Sequence, residues 1–232
     1  MNVLGIDTAT FVTAVGVRRD GRLHAELHAE GRGGHAASLP GLVEQGLREA
    51  GLRAADLDGI AVSEGPGSFT GLRVGVSFAK AVAYATGARL VGVPTLPAIA
   101  RALETPSDVV GVCLDARRGE VYLGIYGSCG RHTFQEPMAS SPAAAVGRLR
   151  ELGARIVVGD AAVRYAEAFA CFRGRLVPLG ESPPKGGIIA LDGEERLHRT
   201  ASTAVADLVP RYLRAPEAES RREASLTREK TL

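Results

Sequence analysis

Three stretches carry residue types that could do chemistry. In GIDTAT an apolar run ends in Asp7, beside Thr8 and Thr10. A strand-end carboxylate among hydroxyls can orient a metal ion or a water near a phosphate. It can equally make a plain turn, accepting hydrogen bonds from the next backbone amides. The second stretch, SEGPGSFTGLRVGVSFAKAVAY from Ser63 to Tyr84, has Gly65, Gly67 and Gly71 ahead of a helical pattern, with Ser68 or Thr70 as the cap. It resembles a phosphate loop, yet no Gly-Lys-Ser/Thr follows, and the glycines miss the dinucleotide spacing by one residue. In the third, LDARRGEVY, Asp115 precedes Arg117 and Arg118, which could neutralise it or hold an anion. Asp7, Thr8, Gly65, Gly67, Ser68, Thr70 and Asp115 therefore form the candidate nucleotide or phosphate side.

Metal and nucleophile chemistry finds less support. A two-histidine metal site on a helix puts its second ligand at i+4, and four residues after His35 stands Leu39. His24 and His28 share a spacing of four on a predicted strand, where even spacing only places them on one face. Cys113, Cys129 and Cys171 form no CxxC pair and fit a reducing cytoplasm. No local signature suggests a nucleophile with its base.

Around these residues the chain reads as an ordinary globular protein. Its 232 residues suffice for one large or two small cores, and 45% are hydrophobic. The net charge of +2, from arginines scattered along the chain, argues against a strong field for nucleic acid or an anionic membrane. The N-terminus has no basic region ahead of its apolar run, so no signal peptide is expected, and no run is long enough to span a bilayer.

NVLGID, FVTAVGV and LHAELHAE predict three strands in a meander. From His35 to Gly51, Leu39, Leu42, Val43, Leu47 and Ala50 fall on one helical stripe. GIAVSEG predicts a buried strand, and the next helix stops at Gly87. RLVGV is a further strand and TLPAIARALE a short helix. The pattern then restarts. With Asp7 set on Asp115, Val15-Gly16-Val17 falls on Leu123-Gly124-Ile125, and later Asp160 matches Glu64. This common order predicts an internal duplication, a mixed sheet with helices in each lobe, and a shorter second copy without the glycine loop. The expected first lobe is 1–104, completed by about 201–214, where STAVADLVPRYLR suggests a helix ending before Pro210 and then an extended piece. The second lobe is 105–200, and 215–232 is a polar tail.

Gly67, Gly71, Gly75, Ala79 and Ala83 recur every fourth residue, a helix ridge almost without side chains. Such a ridge permits close approach by another helix. The alternative is tight packing on the chain's own sheet. If Leu72 and Val76, with Val74, Phe78 and Val82, serve that sheet, the smooth ridge is left for the helix at 36–50 or for another chain.

GIDTAT, SEGPGSFTGLRVGVSFAKAVA, LVGVPTL, LDARRGEVYLGIY and VPRYLR together resemble the TsaB (YeaZ) family, over Asn2 to about Arg214. The resemblance implies an α/β, two-lobed fold like actin, sugar kinases and Hsp70, with a reduced second lobe. It implies a cytoplasmic, non-catalytic subunit needed to form N6-threonylcarbamoyladenosine at position 37 of tRNAs reading codons that begin with A. The implied partner is a TsaD-like catalytic subunit, met through helices 36–50 and 70–86, with a TsaE-like ATPase joining them. That assigns an interface to His35, Leu39, Leu42, Val43, Gly46 and Leu47 on one helix, and to Gly71, Leu72, Gly75, Val76, Ala79, Lys80 and Ala83 on the other. TsaD-like proteins carry two metal-binding histidines on the matching helix; here Leu39 replaces the second. The chain itself is expected to need no cofactor, the complex to use ATP, tRNA to be met only through the complex, and the chain alone to form a homodimer. A kinase or ATPase of the same fold, using Asp7 and Asp115, is the alternative; a peptidase, an older reading of the TsaD-like group, has no nucleophile or metal pair to support it.

Overall fold

The computed structural model describes residues 1–30, 34–105, 108–127, 129–199 and 203–214. Its strands form two five-stranded sheets. The first holds β1 (Asn2–Asp7), β2 (Val12–Arg19), β3 (Arg22–Glu30), β4 (Gly59–Gly65) and β5 (Arg89–Pro94), in the order β3-β2-β1-β4-β5. The second holds β6 (Val110–Arg117), β7 (Glu120–Gly127), β8 (His132–Ser140), β9 (Ile156–Val158) and β10 (Arg175–Val177), in the order β10-β9-β6-β7-β8. Each sheet is a three-strand meander whose first strand also pairs in parallel with its fourth. The two sheets repeat one topology, as the matched acids predicted. Asp7 pairs with Ala14 and Asp115 with Val121, seven residues apart against six, so the second hairpin is one residue tighter.

The helices are α1 (His35–Glu49), α2 (Phe69–Thr86), α3 (Thr95–Ala102), α4 (Pro142–Glu151), α5 (Ala161–Arg164), α6 (Ala166–Phe169) and α7 (Gly186–Arg199). The Ser68 hydroxyl caps α2 by accepting from the Gly71 amide, and left-handed Gly87 closes it. α1 and α2 cover one face of the first sheet, over Leu4, Ile6, Val15, Ile60 and Val62. α7 covers the other, over Val3, Ala61, Val91 and Val93. α3 joins the lobes: Ala98 lies in the core beneath α7, while Leu96, Ile99 and Ala100 lie against Val110 and Val112 of the second sheet.

Two elements depart from the sequence reading. Residues 186–199, grouped there with the second lobe, form a helix on the first sheet. It starts Gly186-Gly187, because backbone meets backbone there: a Cβ on Gly5 would collide with the Gly186 carbonyl, and one on Gly16 with the Gly187 amide. The helix expected to end before Pro210 does not form among the described residues, whereas the piece after it is non-helical as expected. Thr203 instead bridges Leu90, residues 205–207 make a turn in which the Asp207 amide donates to the Ala204 carbonyl, and beyond it the Arg211 amide donates to the Glu64 carbonyl at 2.6 Å. The sequence reading also stopped short of β8, a largely exposed edge strand interrupted by Pro137. The tail, 215–232, lies outside the described residues.

Candidate functional site

The small-residue ridge of α2 faces inward, which corrects the interface drawn from the sequence. A Cβ on Gly71 would collide with the Thr8 carbonyl oxygen, and one on Gly75 with Thr8 Oγ1. Thr8 is buried, and its hydroxyl donates to the Gly71 carbonyl at 2.8 Å. Ala79 and Ala83 are buried against the first sheet with Leu72 and Val76. On α1, Leu39, Val43, Gly46 and Leu47 are buried too. These ten residues therefore seat the helix pair on its own lobe and present little surface to a partner. The ridge lets α2 settle onto the β1 end at backbone distance, the role that competed with a partner contact.

What the helix pair leaves outside is different. Leu42 of α1 and Val74, Phe78 and Val82 of α2 lie half-buried over the same core. Beside them Ser77, Ala81 and Ala85 are exposed, and Tyr84 is 86% exposed. One flank of α2 is occupied: Lys80 donates to the Ala206 carbonyl, and Arg73 to the Tyr212 hydroxyl. The other flank, a Val-Phe-Val row at every fourth position, borders solvent beside small residues. Sequence periodicity finds both stripes but not which one turns inward.

The second candidate is the cleft between the lobes, with a volume of about 520 Å³. It gathers Gly67, Ser68, Thr70 and Asp115 of the phosphate-side candidates, and His35. Asp7, Thr8 and Gly65 lie behind its wall. Asp7 is buried and accepts from the Ala9 amide at 2.7 Å, the turn its position suggested. Burial raises its pKa to about 6, opposed by the Ala9 amide and the Ser63 hydroxyl. Gly65 has its own chain at its back: a Cβ there would sit 2.6 Å from the Arg211 carbonyl oxygen, and one on Gly67 would collide with the Ala9 carbonyl. The glycine loop is shaped by these neighbours.

Asp115 is already saturated. It accepts from the Tyr165 hydroxyl and the Arg117 amide, both at 2.9 Å, and pairs with the Arg164 and Arg117 side chains at 3.2 and 3.4 Å. Asp160, its counterpart to Glu64, accepts from the Asp115 amide. His35 Nδ1 lies 2.7 Å from Thr13 Oγ1, and burial pulls its pKa below the usual value, opposed by the Thr10 backbone. Leu39, one turn later, is wholly buried. Among the described residues no group of three His, Cys, Asp or Glu side chains could hold a metal ion.

The piece expected to be extended after Pro210 forms a strap across the cleft, and its contacts carry no local sequence signal. The Tyr212 ring lies 4.8 Å from that of Phe69, whose face carries the Arg73 guanidinium at 3.9 Å. Arg214 then reaches the second lobe, donating to the Ala116 and Arg117 carbonyls and pairing with Glu120 at 2.6 Å. Only the extended course is signalled, by the motif VPRYLR, whose Pro210 and alternating side chains suit an extended segment.

The family model of TsaD, tRNA N6-adenosine threonylcarbamoyltransferase, matches residues 30–162. The tRNA threonylcarbamoyladenosine biosynthesis protein TsaB of Escherichia coli is 34% identical over 128 residues, 54% of this chain and 55% of that protein. The chain thus spans about half the length of the first curated relatives it matches. An uncharacterized protein of Mycobacterium tuberculosis is 34% identical over 219 residues, 94% of this chain and 93% of its own length. Among solved structures, YeaZ from Pseudomonas aeruginosa shares the fold, with a TM-score of 0.79 and 24% identity over 91% of this chain and 99% of that one. No helix of the described residues is long and apolar enough to cross a membrane.

Proposed function

This chain belongs to the TsaB (YeaZ) family, and on that premise we propose that it is a non-catalytic partner subunit in the formation of N6-threonylcarbamoyladenosine in tRNA. It binds a TsaD-like catalytic subunit, and a TsaE-like ATPase joins the pair, so the complex and not this chain consumes ATP. The observation that carries this reading is the outer face of α1 and α2. Leu42, Val74, Phe78 and Val82 are half-buried apolar residues beside exposed Ala81 and Tyr84, on the two helices to which the family resemblance assigns the pairing. An apolar patch rimmed by polar residues is what an interface needs. The same face on a second copy would give a two-fold homodimer when the partner is absent. The reading implies a cytoplasmic protein.

The chemistry of the remaining sites supports a partner more than an enzyme. Asp115 is held by two arginines and a tyrosine, and Asp7 lies behind the Ala9 backbone, so neither offers a free carboxylate to a phosphate in the cleft. His35 is engaged by Thr13, and its i+4 neighbour Leu39 belongs to the core. A kinase or ATPase of this fold would need one of those carboxylates. Reconstitution tests the proposal: the TsaD-like subunit, the ATPase and a threonylcarbamoyl donor should modify tRNA only when this chain is added. Equal modification without it would overturn the proposal, as would ATP turnover by this chain alone.

A further inference from the structure

Arginines scattered along the sequence converge in the fold. Arg101 from α3, Arg131 from the turn between β7 and β8, and Arg196 and Arg199 from the last turn of α7 surround one groove of about 290 Å³. It shares no lining residue with the interlobe cleft. Asp192 and Glu195 stand among them, so four guanidinium groups face two carboxylates and two positive charges remain in excess. A fifth arginine, Arg89, donates to the Leu197 carbonyl in the same helical turn at 2.7 Å.

The cluster is layered. Arg101 forms its floor: the side chain is 13% exposed and ion-pairs with both Asp192 and Glu195. Above it Arg131 meets Glu195 at 3.4 Å with its side chain 66% exposed. Burial alone would raise the Glu195 carboxyl, but the hydrogen bond and charge of Arg101, then the charges of Arg131 and Arg199, hold it below its ordinary value. The two acids thus anchor the floor, and Arg131, Arg196 and Arg199 present an exposed positive rim.

We propose that this groove docks the phosphate backbone of tRNA, so that the chain contacts RNA directly as well as through its partner. The inference rests on the proposed role in tRNA modification and adds a substrate contact to it. Every cation lining the groove is an arginine, whose planar fork matches phosphate oxygens two at a time. Pro94, Pro97 and Gly130 complete the wall, with no aromatic ring for a base to stack on. Recognition is therefore of backbone and independent of base sequence.

The test is a titration of the isolated full-length chain with a fluorescent, unmodified tRNA transcript across roughly 50 to 200 mM salt. The variant carries Arg131→Glu and Arg199→Glu, both at exposed positions. A control carries Arg22→Glu and Arg173→Glu, exposed residues outside the groove that make the same change in net charge. Loss of two phosphate contacts should weaken binding by at least about tenfold near 0.1 M salt and lower the salt slope by about two. The control should keep most of the wild-type affinity, and thermal unfolding should match in all three. Equal weakening by the control would overturn the proposal, as would a wild-type chain that does not bind the transcript. Unchanged tRNA binding with lost capture of a protein would also overturn it, in favour of an acidic protein surface. Co-purification with the TsaD-like subunit tests the proposed function separately, and the double variant should keep it.

Discussion

Replacing Gly75 by alanine should destabilise the first lobe, although alanine is the better helix former. The new methyl would collide with Thr8 Oγ1, and the Thr8 side chain, fully buried, can move only at the expense of its neighbours. Either Thr8 rotates and breaks its 2.8 Å bond to the Gly71 carbonyl, or α2 lifts from the sheet. The lost hydrogen bond is worth about 0.5–1.5 kcal/mol, and overpacking a filled core costs about 1–3 kcal/mol. Helix propensity returns about 1 kcal/mol, which leaves a net loss of about 2 kcal/mol. At this chain length that lowers the melting temperature by roughly 4–8 °C. Gly147→Ala is the matched control, because a Cβ in that helix meets nothing within 4 Å. It should gain up to about 1 kcal/mol. Thermal unfolding of both variants, followed by circular dichroism, gives the comparison. A Gly75→Ala protein as stable as Gly147→Ala would refute the inward placement of the ridge and return Gly75 and Ala79 to the surface.

Three further outcomes follow from the same contacts. Gly71→Ala should cost more than Gly75→Ala, because its methyl meets the Thr8 backbone carbonyl and not a rotatable hydroxyl; urea denaturation ranks the two. Asp7 should make stability fall as pH rises: its folded pKa, about 6, exceeds the ordinary carboxyl value of 3.8, so the unfolded chain releases the proton first. The loss develops between about pH 4 and 6 and reaches roughly 3 kcal/mol, and Asp7→Asn should flatten that part of a stability–pH profile while changing little below pH 4. Arg214→Ala should cost about 1.5–3 kcal/mol, since a charged donor leaves two carbonyls and Glu120 behind; a melting temperature equal to wild type would show that the strap does not join the lobes.

The sequence was most informative where periodicity and chain punctuation decide structure. The strand end at Asp7, the Ser68 cap and the Gly87 stop are local signals, and the matched acids Asp7 and Asp115 point to the duplicated sheet order. The helix α7 was hidden because Gly186, Gly187 and Gly193 weaken its pattern; they are there for the sheet beneath, a long-range demand. The direction of the α2 ridge was hidden for the same reason. A row of small residues says that something comes close, and only the Thr8 contact says that it is the chain's own backbone. Arginines 101, 131, 196 and 199 looked dispersed, and the crossing of α3, α7 and the β7–β8 turn gathers them.

The central claim is that the outer face of α1 and α2 binds the TsaD-like subunit. Ala81→Arg tests it most directly, because Ala81 is exposed beside Phe78 and Val82 and takes no part in the core. The variant should melt within a degree or two of wild type, fail to capture the TsaD-like subunit, and leave cells carrying it as their sole copy without threonylcarbamoyladenosine in tRNA. A well-folded Ala81→Arg protein that still pairs and still supports normal modification would contradict the claim.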